Sequence, residues 1–261
     1  MSKYSSHVVN VETGCDIVKC LQNFTTAQNL RAAFVVECTG EVSRATLRMA
    51  ESWKAHEPVK EVNYQAKIES FVGTITGENG HLHASLSSQS GCIGGHVFGP
   101  LIASETVKVV VGVCEDIAFT RSHDEATGYP ELVVVDINNC ELTGKPQKEM
   151  KEDSTIRTYA VRLIPGEEIC NGLKSFVVEK ELKTPYIMTC VGSVTKAELA
   201  LGKDGTEVVT MEGFYEIVSL LGSPDNLEIS ISDKDGHVIT GHVTGELIVF
   251  TTAEIVLADT Q

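Results

Sequence analysis

Three histidines lie close together in residues 80–96, GHLHASLSSQSGCIGGH. His81, His83 and Ser85 alternate with Leu82, Ala84 and Leu86. That is the period-two pattern of a half-buried strand, so His81 and His83 share one face and the apolar side chains take the other. Ser88-Gln89-Ser90-Gly91 reads as a turn, and residues 92–98 as the returning strand of an antiparallel hairpin. With Ser88 and Gly91 bracketing the turn, residue 83 stands opposite residue 96, and opposed residues point the same way with Cβ atoms roughly 4.5–5.5 Å apart. Three imidazoles then converge on one face. Neutral imidazole is the preferred zinc ligand, and three protein ligands with a fourth position left to water is the pattern of catalytic zinc. A His-x-His pair alone reads as ordinary solvent-facing polarity. The third histidine in register, with Gly94 and Gly95 baring the backbone as strand glycines do at a bulge or beside a bound group, favours a metal site made of His81, His83 and His96. Glu69 and Glu105 are the candidate general acid/base partners, although each also reads as an ordinary surface or edge carboxylate.

The hairpin must be held by neighbouring strands. Residues 68–75 supply one before it and residues 107–113 a buried one after it, with further strands at 32–38 and 42–49. Ile17, Val18, Leu21 and Phe24 have helical spacing and predict a helix over residues 15–25 packed on the sheet. A polar stretch, 51–60, contains the only tryptophan, Trp53. Residues 119–135 read as a charged turn, holding His123 as a surface residue, followed by an edge strand.

The chain then repeats itself. LRAAFVVECTGEVSRATL at 30–47 recurs as KTPYIMTCVGSVTKAEL at 183–199, aligning Cys38 with Cys190, Gly40 with Gly192 and Leu47 with Leu199. SFVGTI around Gly73 answers SLLGS around Gly222, and GGHV answers TGHV. Duplication with small loop changes explains the drift in offset. The reading is a first domain at 13–137, an exposed Lys/Glu-rich linker at 138–155 and a second domain at 156–259, with a helix near 168–178. In the second copy Asn226 and Glu228 replace His81 and His83, only His242 remains of the trio, and His237 sits in a turn, so this second site is degenerate.

A net charge of −15 without a Lys/Arg-rich run argues against direct nucleic-acid binding. No apolar run approaches the roughly 20 residues of a membrane span, and the first residues lack the apolar core of a secretory signal, which predicts a cytoplasmic protein, with a nuclear location left open. Eight scattered cysteines without Cys-x-x-Cys spacing read as reduced core thiols.

YAVRLIPGEEI, GFYEIVSLLG and HLHASLSSQSGCIGGH together resemble the PPC (plant and prokaryote conserved) domain, and both copies match. The first copy also has the bacterial-type tail of Arg121, Asp124, Thr127 to Tyr129 and Leu132, while its opening, TGCDIV, departs from the RLxPGE of the pattern. The resemblance implies an α+β fold, two copies of a mostly antiparallel β-sheet domain each with a packed helix, and trimer-type self-association of the domains. It implies zinc on His81, His83 and His96 of the first domain only. It also implies an acidic residue in the late strand, present as Glu254 in the second copy, where the first has Lys108 and would have to manage without it.

Two functions follow from the resemblance. The fold and histidine spacing are similar to acetolactate decarboxylase and to a group of zinc ester hydrolases, implying a metal-dependent lyase or hydrolase acting on a small molecule. Plant members instead couple the domain to AT-hooks and act as nuclear proteins, implying a non-catalytic, oligomerising interaction module, with or without DNA association. No RGRP-type AT-hook segment occurs in these residues.

Overall fold

All strand pairings among the described residues are antiparallel, in keeping with the alternating patterns that dominate the sequence. The computed structural model describes residues 1–51, 59–77, 79–137, 156–202 and 205–260, so Trp53 and the expected linker at 138–155 lie outside the described residues. The first half comprises β1 (Ser2–Val11), α1 (Ile17–Ala27), β2 (Ala33–Thr39), β3 (Glu41–Arg48), β4 (Val59–Val62), β5 (Ala66–Thr76), β6 (Asn79–Ser88), β7 (Gly91–Ala103) and β8 (Val107–Cys114), followed by a separate hairpin, β9 (Ile117–Asp124) and β10 (Tyr129–Asp136). The second comprises β11 (Ile156–Leu163), α2 (Ile169–Glu179), β12 (Pro185–Leu201), β13 (Glu207–Ser223), β14 (Asn226–Ser232) and β15 (Val238–Thr260).

Each half curls its sheet round one core. In the first, β5, β6, β7 and β3 pair in sequence and β3 pairs back to β5. In the second, β12, β13, β14 and β15 do the same, with β12 pairing back to β15. One helix lies against each: α1 buries Ile17 and Leu21, α2 buries Ile169 and Leu173. Both helices start where a carboxylate outside the first turn accepts orphan N–H groups, Asp16 from Val18 and Glu168 from Cys170 and Asn171. The two copies share the fold, and neither contains a helix long and apolar enough to cross a membrane among the described residues.

The strand β1 was not foreseen. It lies before the expected start at residue 13, yet it pairs with β8 from Tyr4 to Val11, and through Ser2 and Lys3 with β11. Its serines, histidine and asparagine interrupt any apolar run, so burial of alternate residues against β8 decides its state. The β1–β11 pairing joins both halves into one 13-stranded sheet. A third core cluster bridges them, with Phe34, Phe119 and Leu132 of the first half packing with Val256 of the second. The segment expected as a charged turn is the β9–β10 hairpin, with His123 in β9 opposite Pro130 and exposed. The cysteines divide: Cys114 and Cys190 are buried free thiols, whereas Cys15 and Cys92 are exposed.

Gly73 and Gly222 reveal the duplication in the backbone. Both have positive φ, 133° and 102°, and a Cβ on either would collide with the carbonyl of the partner strand, at 1.9 Å from His81 O and 2.1 Å from Asn226 O. Only glycine permits that approach. The same contact made to His81 in one copy and to Asn226 in the other places those residues at equivalent points.

Candidate metal centre

The hairpin register is the one that the turn residues imply. Ser88 faces Gly91, and His83 faces His96. On the other flank β5 pairs Thr74 with His81 and Val72 with His83. The ring centroids of the three histidines stand 4.9, 5.3 and 5.2 Å apart, and one ligand nitrogen from each falls within a 4.8 Å group. His83 is completely buried and His81 and His96 partly so.

The second half of the chain orients these rings. His83 Nδ1–H donates to the Ile217 carbonyl of β13 at 2.7 Å, and His81 Nδ1–H donates to Glu254 Oε1 of β15 at 3.0 Å. Both bonds put the proton on Nδ1 and leave the Nε2 lone pairs facing each other at 3.2 Å. Two bare lone pairs at that distance repel unless a cation lies between them. Zinc–nitrogen bonds of about 2.0–2.1 Å in a tetrahedral site set two ligand nitrogens about 3.3–3.4 Å apart. His96 adds a buried Nδ1 that has no hydrogen-bond partner among the described residues. Lone-pair direction, spacing and the orphaned nitrogen all fit a metal, and a carboxylate and a backbone carbonyl that accept from the imidazoles' other ring nitrogens are the usual outer shell of zinc.

Burial, reinforced by the neighbouring imidazoles, holds His83 and His96 well below the ordinary histidine range, so both stay neutral and able to ligate. Two carboxylates face the rings. Burial pushes Glu216 up to about 7 against the pull of Arg48 and His81, and its Oε2 stands 3.6 Å from His83 Nε2. Glu254 is more completely enclosed, and burial opposes its charge, but His81 and the Arg121 guanidinium prevail and hold it at about 2. Arg121 of β9 grips both Glu254 oxygens and donates to Thr74 Oγ1 at 2.8 Å.

Several expectations are corrected here. The first copy does not manage without the late-strand acid, because Glu254 of the second copy reaches across to its histidines, while Lys108 is exposed on β8 opposite Asn10 and Thr39. Glu69 is exposed and bonded to Lys67 and Ser87, and Glu105 is exposed between β7 and β8; neither lines the cavity beside the histidines. Among the described residues, the carboxylates set against the histidines are Glu216 and Glu254. Glu216 lies inside GFYEIVSLLG, which docks on the first half of its own chain. The paired glycines also have a different use: a Cβ on Gly94 would meet Val238 Cγ2 of the second half at 2.9 Å, and one on Gly95 would meet the Arg48 carbonyl at 2.7 Å. They admit neighbouring strands.

In the second copy Glu228 faces His242 across β14 and β15, but their side chains are 3.8 Å apart and open to solvent. Among the described residues no strand covers them as β13 covers His83.

His81 and His96 open onto a cavity of about 690 Å³ between the halves, lined also by Arg48, Arg121 and Tyr129 from the first and by Phe214, Glu216 and Phe250 from the second.

A sequence model described as the Plants and Prokaryotes Conserved (PCC) domain matches residues 1–115 and 150–261. The bifunctional protein GlmU of Synechococcus sp. (strain JA-3-3Ab) is 35% identical over 120 residues, covering 44% of this chain and 19% of that protein. AT-hook motif nuclear-localized protein 13 of Arabidopsis thaliana is 35% identical over 121 residues, covering 42% of this chain and 26% of that protein. The matched region is thus a minor part of either relative. Among solved structures, a hypothetical protein of Salmonella aligns with a TM-score of 0.49 at 26% identity, over 52% of this chain and 96% of its own.

Proposed function

The chain belongs to the Plants and Prokaryotes Conserved domain family, and from that premise we propose that it is a tandem interaction module whose two domains are clasped by zinc on His81, His83 and His96. One observation carries the reading: the histidines all come from one domain, while the groups that aim two of them, Glu254 and the Ile217 carbonyl, come from the other. Filling the site and docking the domains are then one event, so zinc supplies a structural cross-brace. Glu254 is fully engaged by His81, Arg121 and Thr74, which suits a holding role. The name of the Arabidopsis relative ties this domain to nuclear AT-hook proteins, and in our reading the module serves such assemblies through contacts with other chains and with copies of itself.

Zinc titration of the full chain across pH 5 to 8, a range that brackets imidazole ionisation, tests the proposal. Protons compete with the metal for each imidazole, but burial keeps His83 and His96 neutral through the ordinary range. Affinity is therefore expected to hold through the ordinary histidine range, about pH 6.5, and to fall only at more acid pH. Zinc at 100 times its dissociation constant should stabilise the fold by about 2.7 kcal/mol, seen as a rise in melting temperature that chelation reverses. A melting temperature indifferent to zinc and chelator would refute the clasp.

One observation favours a second reading, in which the centre is a zinc-dependent lyase or hydrolase. Glu216, whose Oε2 stands 3.6 Å from His83 Nε2 on the cavity wall, is placed to exchange a proton with a bound molecule. Bound zinc would polarise a carbonyl there. Turnover of a small ester such as p-nitrophenyl acetate by the zinc-loaded chain, cut about 10²–10⁴-fold by Glu216→Gln, would support this reading. The same slow rate in protein and in zinc-free control would exclude it.

A further inference from the structure

We propose that the interdomain cavity is a binding site for a small organic carboxylate with an apolar or aromatic body, and that Arg48 is the residue that grips the carboxylate. The inference rests on the metal-centre reading for what lies beside the guanidinium, but its own basis is Arg48.

Arg48 ends β3 directly opposite His96, which is itself opposite His83. Opposed residues in a sheet project from the same face, so His83, His96 and Arg48 form one row across three strands. Arg121, the other arginine of the cavity, is taken up by Glu254. Arg48 has no carboxylate within ion-pair distance among the described residues; its guanidinium carbon stands 5.7 Å from the centroid of the Phe98 ring and 6.0 Å from that of Tyr129. A guanidinium set against aromatic rings keeps its in-plane N–H fork for a planar carboxylate, the partner it binds in a bidentate manner. Phe214 and Phe250, their rings 4.5 Å apart, and Tyr129 supply flat apolar surface in the same cavity. A volume of about 690 Å³ is of the size that ordinary small-molecule sites have.

The second copy serves as an internal control. Leu47 aligns with Leu199, so Arg48 corresponds to Ala200, and Ala200 stands opposite His242 as Arg48 stands opposite His96. The arginine is absent from the copy whose histidines are replaced, so the cation and the three-histidine set occur together.

Calorimetric titration of the zinc-loaded full chain with benzoate, using inorganic phosphate as the contrasting probe, tests the site. Saturable benzoate binding is expected, weakened at least tenfold by Arg48→Met with zinc content unchanged, and not displaced by phosphate. Absence of benzoate binding to the wild type, equal affinity in the Met variant, or displacement by phosphate would each overturn the proposal. Should circular dichroism show Arg48→Met unfolded, Arg48→Lys takes its place: reduced benzoate affinity at full zinc content supports the fork, and unchanged affinity overturns it. If the wild type binds no zinc, the metal reading fails separately, while Arg48-dependent benzoate binding to that zinc-free protein still supports the carboxylate site.

Discussion

Glu254→Ala is expected to destabilise the chain by about 3–5 kcal/mol, because it leaves a partner charge without its counter-ion in a buried place. The carboxylate is entirely enclosed, and it accepts from His81, Thr74 and both terminal nitrogens of Arg121. It therefore ties β15 of one domain to β6, β5 and β9 of the other. Truncation removes all four bonds and strands the guanidinium, whose side chain is only 11% exposed. Urea unfolding of wild type and variant measures the loss; a difference under about 1 kcal/mol would place the pair among weak surface contacts. The pH dependence has a definite sign. Glu254 is held at about 2, below its unfolded value, so its contribution is present above about 4.5 and fades as pH falls toward 2. The variant should lose that acid-range slope. Glu254→Gln keeps the shape but not the charge, and zinc affinity should drop about 10–100-fold, as it does when outer-shell partners of zinc are changed.

His83→Ala has the other large effect. Zinc content should fall from about one per chain to near zero, since a three-ligand centre that loses its most enclosed ligand retains two imidazoles, both at the cavity wall. The variant also leaves the Ile217 carbonyl without its donor, which costs about 1–3 kcal/mol even before metal is considered. Elemental analysis with unfolding measurements separates the two contributions. Wild-type zinc content in this variant would disprove the ligand assignment.

Much of the site was legible in the sequence because its making is local. Alternation of His81 and His83 with Leu82 and Ala84, and the Ser88-to-Gly91 turn, determine that the rings share a face and that His83 meets His96, since side-chain period and hairpin register depend only on contiguous residues. The repeated glycines likewise announced two copies of one fold. The carboxylates beside the histidines were not legible for the opposite reason. Glu69 and Glu105 are near the histidines along the chain but not in space, whereas Glu254 is 173 positions from His81 and bonded to it.

Sequence alone determined the histidine hairpin and its register, the duplication and the three-histidine face. Tertiary structure decided that β1 belongs to the sheet, that GFYEIVSLLG covers the first copy's histidines, and that Glu254 serves the copy from which it is absent. The physical difference lies in what selects each feature. Period and turn chemistry act through bonded neighbours, while docking of one sheet on another depends on complementary surfaces that no single segment contains, here Gly94 admitting Val238 and Arg121 meeting Glu254.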